Sequence, residues 1–168
     1  MAEPLSLLRL LVVDDNPQMR TIMATVLSAA GVADLHQAAN GREGLEKLSE
    51  LSFDCIYCDF EMPHMNGVEF VDTVRRNDSV HRYTPIIMLT GYSDYAHLSL
   101  ARDRGVTEFL RKPVTARDIL LRLEAVILRP RPFVNSDAYF GPDRRRTRPT
   151  AYFGPKRRAK DKDQLVEL

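Results

Sequence analysis

Short apolar runs alternate with helix-period segments through most of this chain, and that alternation limits the fold more than any other feature. The run from Arg9 to Val13 reads as a strand that stops at Asp14-Asp15. Pro17 sits where a helix opens, and Met19, Ile22, Met23, Val26 and Leu27 share one helical face before Gly31 ends it. Strand patterns return at Leu35 to Ala39, Phe53 to Cys58, Pro85 to Leu89 and Val106 to Leu110. Helical patterns separate them at Arg42 to Leu51, Gly67 to Arg76 and Asp94 to Arg104, the last closed by Gly105. A fifth helix follows Thr115, a capping residue with Asp118 three positions on, and carries Ile119, Leu120, Leu123, Val126 and Ile127. Strands as apolar as Ile86-Ile87-Met88-Leu89 must be covered on both faces, as in a parallel sheet flanked by helices. Right-handed crossovers then predict an α/β protein, a doubly wound five-stranded parallel sheet of the flavodoxin-like kind.

The charge is not spread evenly. The 168 residues carry a net +1, but residues 1–128 hold 13 basic and 18 acidic side chains, while residues 129–168 hold 11 and 5. An acidic body over residues 6–128 therefore precedes a basic segment that seeks anions. Residues 129–168 also contain five of the ten prolines and no helical period until their end, which predicts an extended tail, disordered unless liganded. The start of the chain lacks a secretory pattern and no apolar run approaches a membrane span, so a cytoplasmic protein without membrane insertion is expected. Cys55 and Cys58 form a CxxC inside a strand pattern, where odd spacing puts them on opposite faces. Two buried, reduced, structural cysteines are expected rather than a redox or metal pair. His36, His64, His81 and His97 show no metal spacing.

In such a sheet, function gathers at the carboxyl ends of the strands. Asp14 and Asp15 end the first predicted strand, Asp59 the third and Thr90 the fourth, and Lys112 lies just beyond the fifth. Three acids, a hydroxyl and a lysine at successive strand ends fit phosphoryl transfer. Mg²⁺ takes oxygen ligands, which Asp14, Asp15, Asp59 and the backbone carbonyl of Glu61 supply. Asp59 is then the nucleophile that forms an acyl phosphate, with Lys112 offsetting charge on the phosphoryl oxygens and the Thr90 hydroxyl donating to them.

The stretches LLVVDD, YCDFEMPHMNG, IIMLTG and FLRKP, spread over about residues 8 to 128, resemble the receiver domain of response regulators, the CheY-like fold. That resemblance implies Asp59 as phospho-acceptor from a histidine kinase, Asp14 and Asp15 as metal-site acids, Thr90 as the switch hydroxyl and Lys112 as the phosphate-sensing lysine. Phe109 falls at the family's switch aromatic position but cannot hydrogen-bond outward. No enzyme activity is expected beyond self-phosphorylation and autodephosphorylation at Asp59.

The tail says one thing twice: Ala138-Tyr139-Phe140-Gly141-Pro142 returns as Ala151-Tyr152-Phe153-Gly154-Pro155, and each copy runs into basic residues. Gly-Pro suggests a turn, Tyr-Phe offers π-faces, and arginine pairs with phosphate and with the guanine O6/N7 edge. Each copy therefore reads as a site for one guanine and one phosphate, with Arg144, Arg145 and Arg146 in the first and Arg157 and Arg158 in the second. Tyr139, Phe140, Tyr152 and Phe153 are the stacking candidates, and Asp143 is the acceptor for a guanine edge. Lys156 stands where the second copy lacks that acid. Two copies suit cyclic di-GMP, which presents two guanines and two phosphates. The tandem phrase resembles the arginine-rich tail of the CheY-like c-di-GMP effectors (Cle proteins) of alphaproteobacteria. That resemblance implies action on a flagellar motor switch protein or another protein partner, at the flagellated pole, in control of motility and surface attachment. Two other readings stay open: a conventional phospho-Asp receiver in a two-component or chemotaxis pathway, and a basic-tail binder of nucleic acid or acidic membrane. The tail is too short for a DNA-binding output domain, so no specific DNA partner is expected.

Overall fold

The computed structural model describes residues 4–91 and 95–145, and the backbone of 164–166. Five parallel strands, β1 (Arg9–Val13), β2 (Asp34–Ala38), β3 (Cys55–Asp59), β4 (Ile86–Thr90) and β5 (Glu108–Arg111), form one sheet in the order β2-β1-β3-β4-β5. Helices α1 (Pro17–Ala29), α2 (Gly41–Glu50), α3 (Gly67–Arg76), α4 (Tyr95–Asp103) and α5 (Ala116–Leu128) connect them and follow the last strand. This is the flavodoxin-like order expected, with element ends shifted by one or two residues. Helix starts are set locally: the side chain of Asn16 caps α1 ahead of Pro17, Asn66 and Glu69 form a reciprocal capping box on α3, and Thr115 caps α5. Gly31 and Gly105 follow α1 and α4 with left-handed backbone, φ +105° and +101°, a conformation side chains with a Cβ disfavour.

Alternation along the strands splits the core into two layers. Leu11, Val13, Ile56, Cys58, Ile86 and Met88 face α2, α3 and α4, where Leu48, Phe70, Val71, Val74 and Ala101 cover them. Leu10, Val12, Cys55, Tyr57, Ile87 and Leu89 face α1 and α5, under Met23, Leu27, Ile119, Leu123 and Val126. Cys55 and Cys58 are thus free thiols buried on opposite faces, as their odd spacing requires, and burial pushes both thiols well above the ordinary range. Tyr57 is fully buried, and its hydroxyl donates to the carbonyl of Ile119 at 2.9 Å, tying the central strand to α5.

The segment after Leu128 differs from the extended tail expected. Strands β6 (Phe133–Ser136) and β7 (Tyr139–Pro142) form an antiparallel hairpin, and β8 (Gln164–Val166) pairs with the other edge of β6. The hairpin turns at Asp137-Ala138, so Gly141-Pro142 lies in a strand and not in a turn. Glycine is needed there because a Cβ at 141 would stand 2.5 Å from the Tyr139 hydroxyl and 2.9 Å from the Cα of Gly105. The hairpin folds because it has a receptor at the amino edge of the sheet. Phe133, Phe140 and Tyr83 pack ring to ring at 5.3–5.6 Å, and the Arg82 guanidinium lies 3.6 Å from the Phe140 centroid. Beneath Phe133 is Arg75, 2% exposed, whose Nε donates to the Gly105 carbonyl and whose Nη1 donates to those of Arg82 and Thr84. Burial pulls the Arg75 guanidinium down to about 9, and backbone carbonyls rather than a carboxylate hold it.

Phe133 is 3% exposed, so Phe133→Ala should destabilise the whole protein by about 3 kcal/mol, the low end for a buried phenylalanine truncation. Urea unfolding followed by far-UV circular dichroism checks this; an unchanged midpoint would mean the hairpin is an ornament.

Candidate functional site

The carboxyl edge of the sheet gathers the residues that the strand ends bring there. Asp14 follows β1, Asp59 and Thr90 end β3 and β4, and Lys112 follows β5. Asp14, Asp59 and Thr90 are 1%, 5% and 1% exposed, so these polar groups are set into the protein rather than on it. Lys112 Nζ donates to Asp59 Oδ1 at 2.7 Å and stands 3.9 Å from Asp14 Oδ2. Its backbone N–H is fixed by the Thr90 carbonyl at 2.9 Å, and a cis peptide bond joins it to Pro113.

Close packing below Asp59 explains one glycine. Gly67 opens α3 with its N–H on the Phe60 carbonyl, and a Cβ at 67 would come within 2.2 Å of the Asp59 carbonyl oxygen. Only glycine lets α3 start this close to the end of β3.

Carboxylate oxygens of Asp14, Asp15 and Asp59 lie within 4.8 Å of one another. Burial, and then the charges of Asp14 and Asp15, raise the Asp59 carboxyl to about 6 against the pull of Lys112. Burial likewise raises Asp14. Asp14 Oδ1 accepts from the Asn16 N–H at 2.8 Å, while the buried Oδ2 has no hydrogen-bond partner among the described residues. A buried carboxylate oxygen without a hydrogen bond, beside two further carboxylates, is a donor set suited to a hard divalent cation that keeps some of its water. Mg²⁺ fits that chemistry.

The five side chains singled out at strand ends, Asp14, Asp15, Asp59, Thr90 and Lys112, thus share one edge. Glu61 lies beside them in a shallow cleft with Asp15, Met62, Pro63 and Asn66. Phe109 packs, half-buried, against the core layer under α3 and α4. One participant escaped sequence reasoning: Arg20, on the first turns of α1, donates from Nη1 to the backbone carbonyl of Asp14 at 2.7 Å. Its position one turn after the helix cap was the available signal.

The tail candidates are placed differently from the open ligand reader expected. Asp143 is buried; its N–H donates to the Pro132 carbonyl, and its Oδ1 accepts from the Arg145 N–H and Nε. Arg144 spans the Tyr139 ring at 4.4 Å and pairs with Asp103 at 2.6 Å. The Tyr139 hydroxyl donates to the Pro142 carbonyl, and Phe140 lies under Arg82. In the first copy the π-faces and the carboxylate are therefore taken by the chain itself, because folding offers them partners of the same kind a nucleotide would. Arg146, Tyr152, Phe153, Arg157 and Arg158 lie outside the described residues. Among the described residues, no helix is long and apolar enough to cross a membrane.

Comparison with known proteins agrees with this geometry. The response regulator receiver domain model matches residues 10–124, and the chain belongs to that family. Transcriptional regulatory protein SrrA of Staphylococcus aureus (strain NCTC 8325 / PS 47) is 30% identical over 120 residues, which are 71% of this chain and 48% of SrrA. The chain thus spans about half the length of the curated relatives it matches. Among solved structures, chemotaxis protein CheY4 of Vibrio cholerae is 36% identical with a TM-score of 0.67, covering 71% of this chain and 98% of CheY4. A CheY-like receiver domain protein from Methanospirillum hungatei JF-1 is 27% identical with a TM-score of 0.66, covering 73% and 94%. Receiver domains are signalling modules that carry phosphorylation on an aspartate, bind Mg²⁺ at an acidic site and interact with histidine kinases and other proteins.

Because the Asp59 carboxyl is raised from 3.8 to about 6 in the folded protein, its ionisation opposes folding. Its share of stability is full below pH 3.8 and is lost as pH rises through about 6. Removing Lys112 takes away both influences by which it lowers this group, so Lys112→Met should raise Asp59 further and carry the loss to higher pH. A carboxyl ¹³C NMR titration in metal-free buffer checks the direction; an unmoved midpoint would mean that the ion pair does not form in solution.

Proposed function

We propose that this chain is a phosphoryl-accepting receiver in which Asp59 is the acceptor. The observation that carries the reading is the Asp59 carboxylate, buried at the strand edge, gripped by Lys112 and faced by Asp14 and Asp15. Asp59 attacks the phosphorus of a phosphohistidine or a small phosphate donor; the new O–P bond forms as the bond to the donor's leaving atom breaks. Asp14, Asp15, Asp59 and the Glu61 carbonyl would hold Mg²⁺, which would supply positive charge to offset that of the phosphoryl oxygens. Lys112 transfers its hydrogen bond from the free carboxylate to a phosphoryl oxygen, and Thr90 donates to another. The raised carboxyl favours the attack, since a more basic carboxylate is a better nucleophile while remaining ionised at neutral pH. With acetyl phosphate and Mg²⁺, intact-mass analysis should show one added phosphoryl group, absent in Asp59→Asn and without Mg²⁺. Equal labelling of Asp59→Asn would reject this assignment.

A second reading rests on the duplicated aromatic-basic phrase: a c-di-GMP effector acting on a flagellar motor switch protein or another protein, in the cytoplasm and at the flagellated pole. Arg144 and Arg145 support it, with side chains 43% and 59% exposed, so that a phosphate can reach them in exchange for Asp103 and Asp143. Such a ligand must exchange the Arg144–Asp103 pair, an exposed contact worth about 0–1 kcal/mol, for its own. Calorimetry with c-di-GMP should show binding that is lost when Arg144, Arg145, Arg157 and Arg158 are changed to Ala. Absence of heat leaves the receiver reading standing alone, and steeply salt-dependent binding without guanine preference would point to nucleic acid or membrane.

A further inference from the structure

We infer that Arg20 is a positioning residue for the metal-site acids. The reasoning begins with the polar atoms of Asp14, where the chain leaves β1 and has not yet entered α1. Its N–H donates to the Ala38 carbonyl at 3.1 Å, which continues the pairing with β2. Its Oδ1 accepts from the Asn16 N–H at 2.8 Å, and its carbonyl accepts from Arg20 Nη1 at 2.7 Å. Three of its four polar atoms are thus held from three directions, and the fourth, the buried Oδ2, accepts no hydrogen bond among the described residues and has only the Lys112 ammonium at 3.9 Å. The orientation of that oxygen is consequently set by the other three bonds.

The Arg20 bond acts on the peptide plane that joins Asp14 to Asp15. Fixing this plane fixes the position of the Asp15 Cα and so restrains where its side chain departs, and Asp15 is the exposed member of the cluster. A helix cap alone does not do this: the Asn16 side chain satisfies the N–H groups of Gln18 and Met19, further along the helix. Arginine suits the position because its long stem reaches from residue 20 past the start of α1 to the carbonyl of residue 14, and Asp14 compensates its charge. The cation also favours the ionised form of Asp14.

Charge and position act on Mg²⁺ in opposite directions, which makes the inference testable. A guanidinium that contributed only charge would repel the cation, and its removal would tighten binding. A guanidinium that orients ligands would weaken binding on removal, by about tenfold or more, as for other groups that orient metal ligands. The measurement is Mg²⁺ affinity by isothermal calorimetry on the full chain at fixed ionic strength, with thermal unfolding of the metal-free protein alongside. Arg20→Met, which keeps the stem and removes donor and charge, should bind Mg²⁺ about tenfold more weakly. Arg20→Lys retains a donor and the charge and should recover most of the affinity, because the contact uses a single N–H. Should Arg20→Met not fold, Arg20→Gln decides: its stem is too short to carry a donor to the Asp14 carbonyl, so it must bind Mg²⁺ more weakly than both the native protein and Arg20→Lys. Affinity that is unchanged or tighter in Arg20→Met, or in Arg20→Gln in its place, overturns the inference, as does an Arg20→Lys protein no better than the variant it is compared with. The inference rests on the acid cluster holding Mg²⁺; a native protein that binds none overturns that reading, and this one with it, whereas a failure confined to the Arg20 variants touches the inference alone.

Discussion

Negative charge held out of water at one edge of the sheet is the constraint on which the site depends. Asp14 and Asp59 are almost fully buried, and their carboxylates approach each other and Asp15 within 4.8 Å. At that distance, two like charges repel by about 3.5 kcal/mol at an effective dielectric near 20. Such a cluster is tenable only where the surrounding structure supplies positive charge and rigid packing. Lys112 supplies the first from beyond β5, and the close seating of Gly67 under the Asp59 carbonyl supplies part of the second. The same repulsion makes the site receptive to a divalent cation and adds to burial, the larger cause, in raising the Asp59 carboxyl.

The opposite edge of the sheet solves a different problem with cations. Arg75 is buried without a carboxylate, its fork spread over carbonyls at the ends of two loops, and the hairpin closes over it through Phe133. Backbone carbonyls and an aromatic face together make this burial tolerable, although Nη2 has no hydrogen bond among the described residues. The hairpin in turn carries the first aromatic-basic phrase, so that phrase has a folding role. Its Arg144–Asp103 pair links the hairpin to the end of α4.

The five-stranded fold was legible because its two signals are local: apolar runs of strand length and helix boundaries such as the cap of Thr115 with Asp118. The strand-end acids were legible for the same reason, since the carboxyl end of each parallel strand can be marked without coordinates. The hairpin was not. Its strands are four residues each, too short for a period, and prolines and arginines around them carry the composition of an unfolded segment. What folds it is long-range: Tyr83, Arg82 and Arg75 stand fifty residues or more before the rings they meet. Arg20 was missed because its partner is a backbone carbonyl, a group every residue has and no side-chain motif records.

By itself, then, the sequence determined the alternation of strands and helices, the two faces on which Cys55 and Cys58 are buried, and which acids stand at strand ends. Each of these follows from residue type and periodicity along a short stretch. Only the tertiary structure decided that Lys112 hydrogen-bonds Asp59 and stands farther from Asp14, that one oxygen of Asp14 accepts no hydrogen bond among the described residues, and that the first tail copy turns inward onto the body. Those outcomes depend on distances between segments far apart in the chain, and such distances are set when both core layers and the hairpin pack at once.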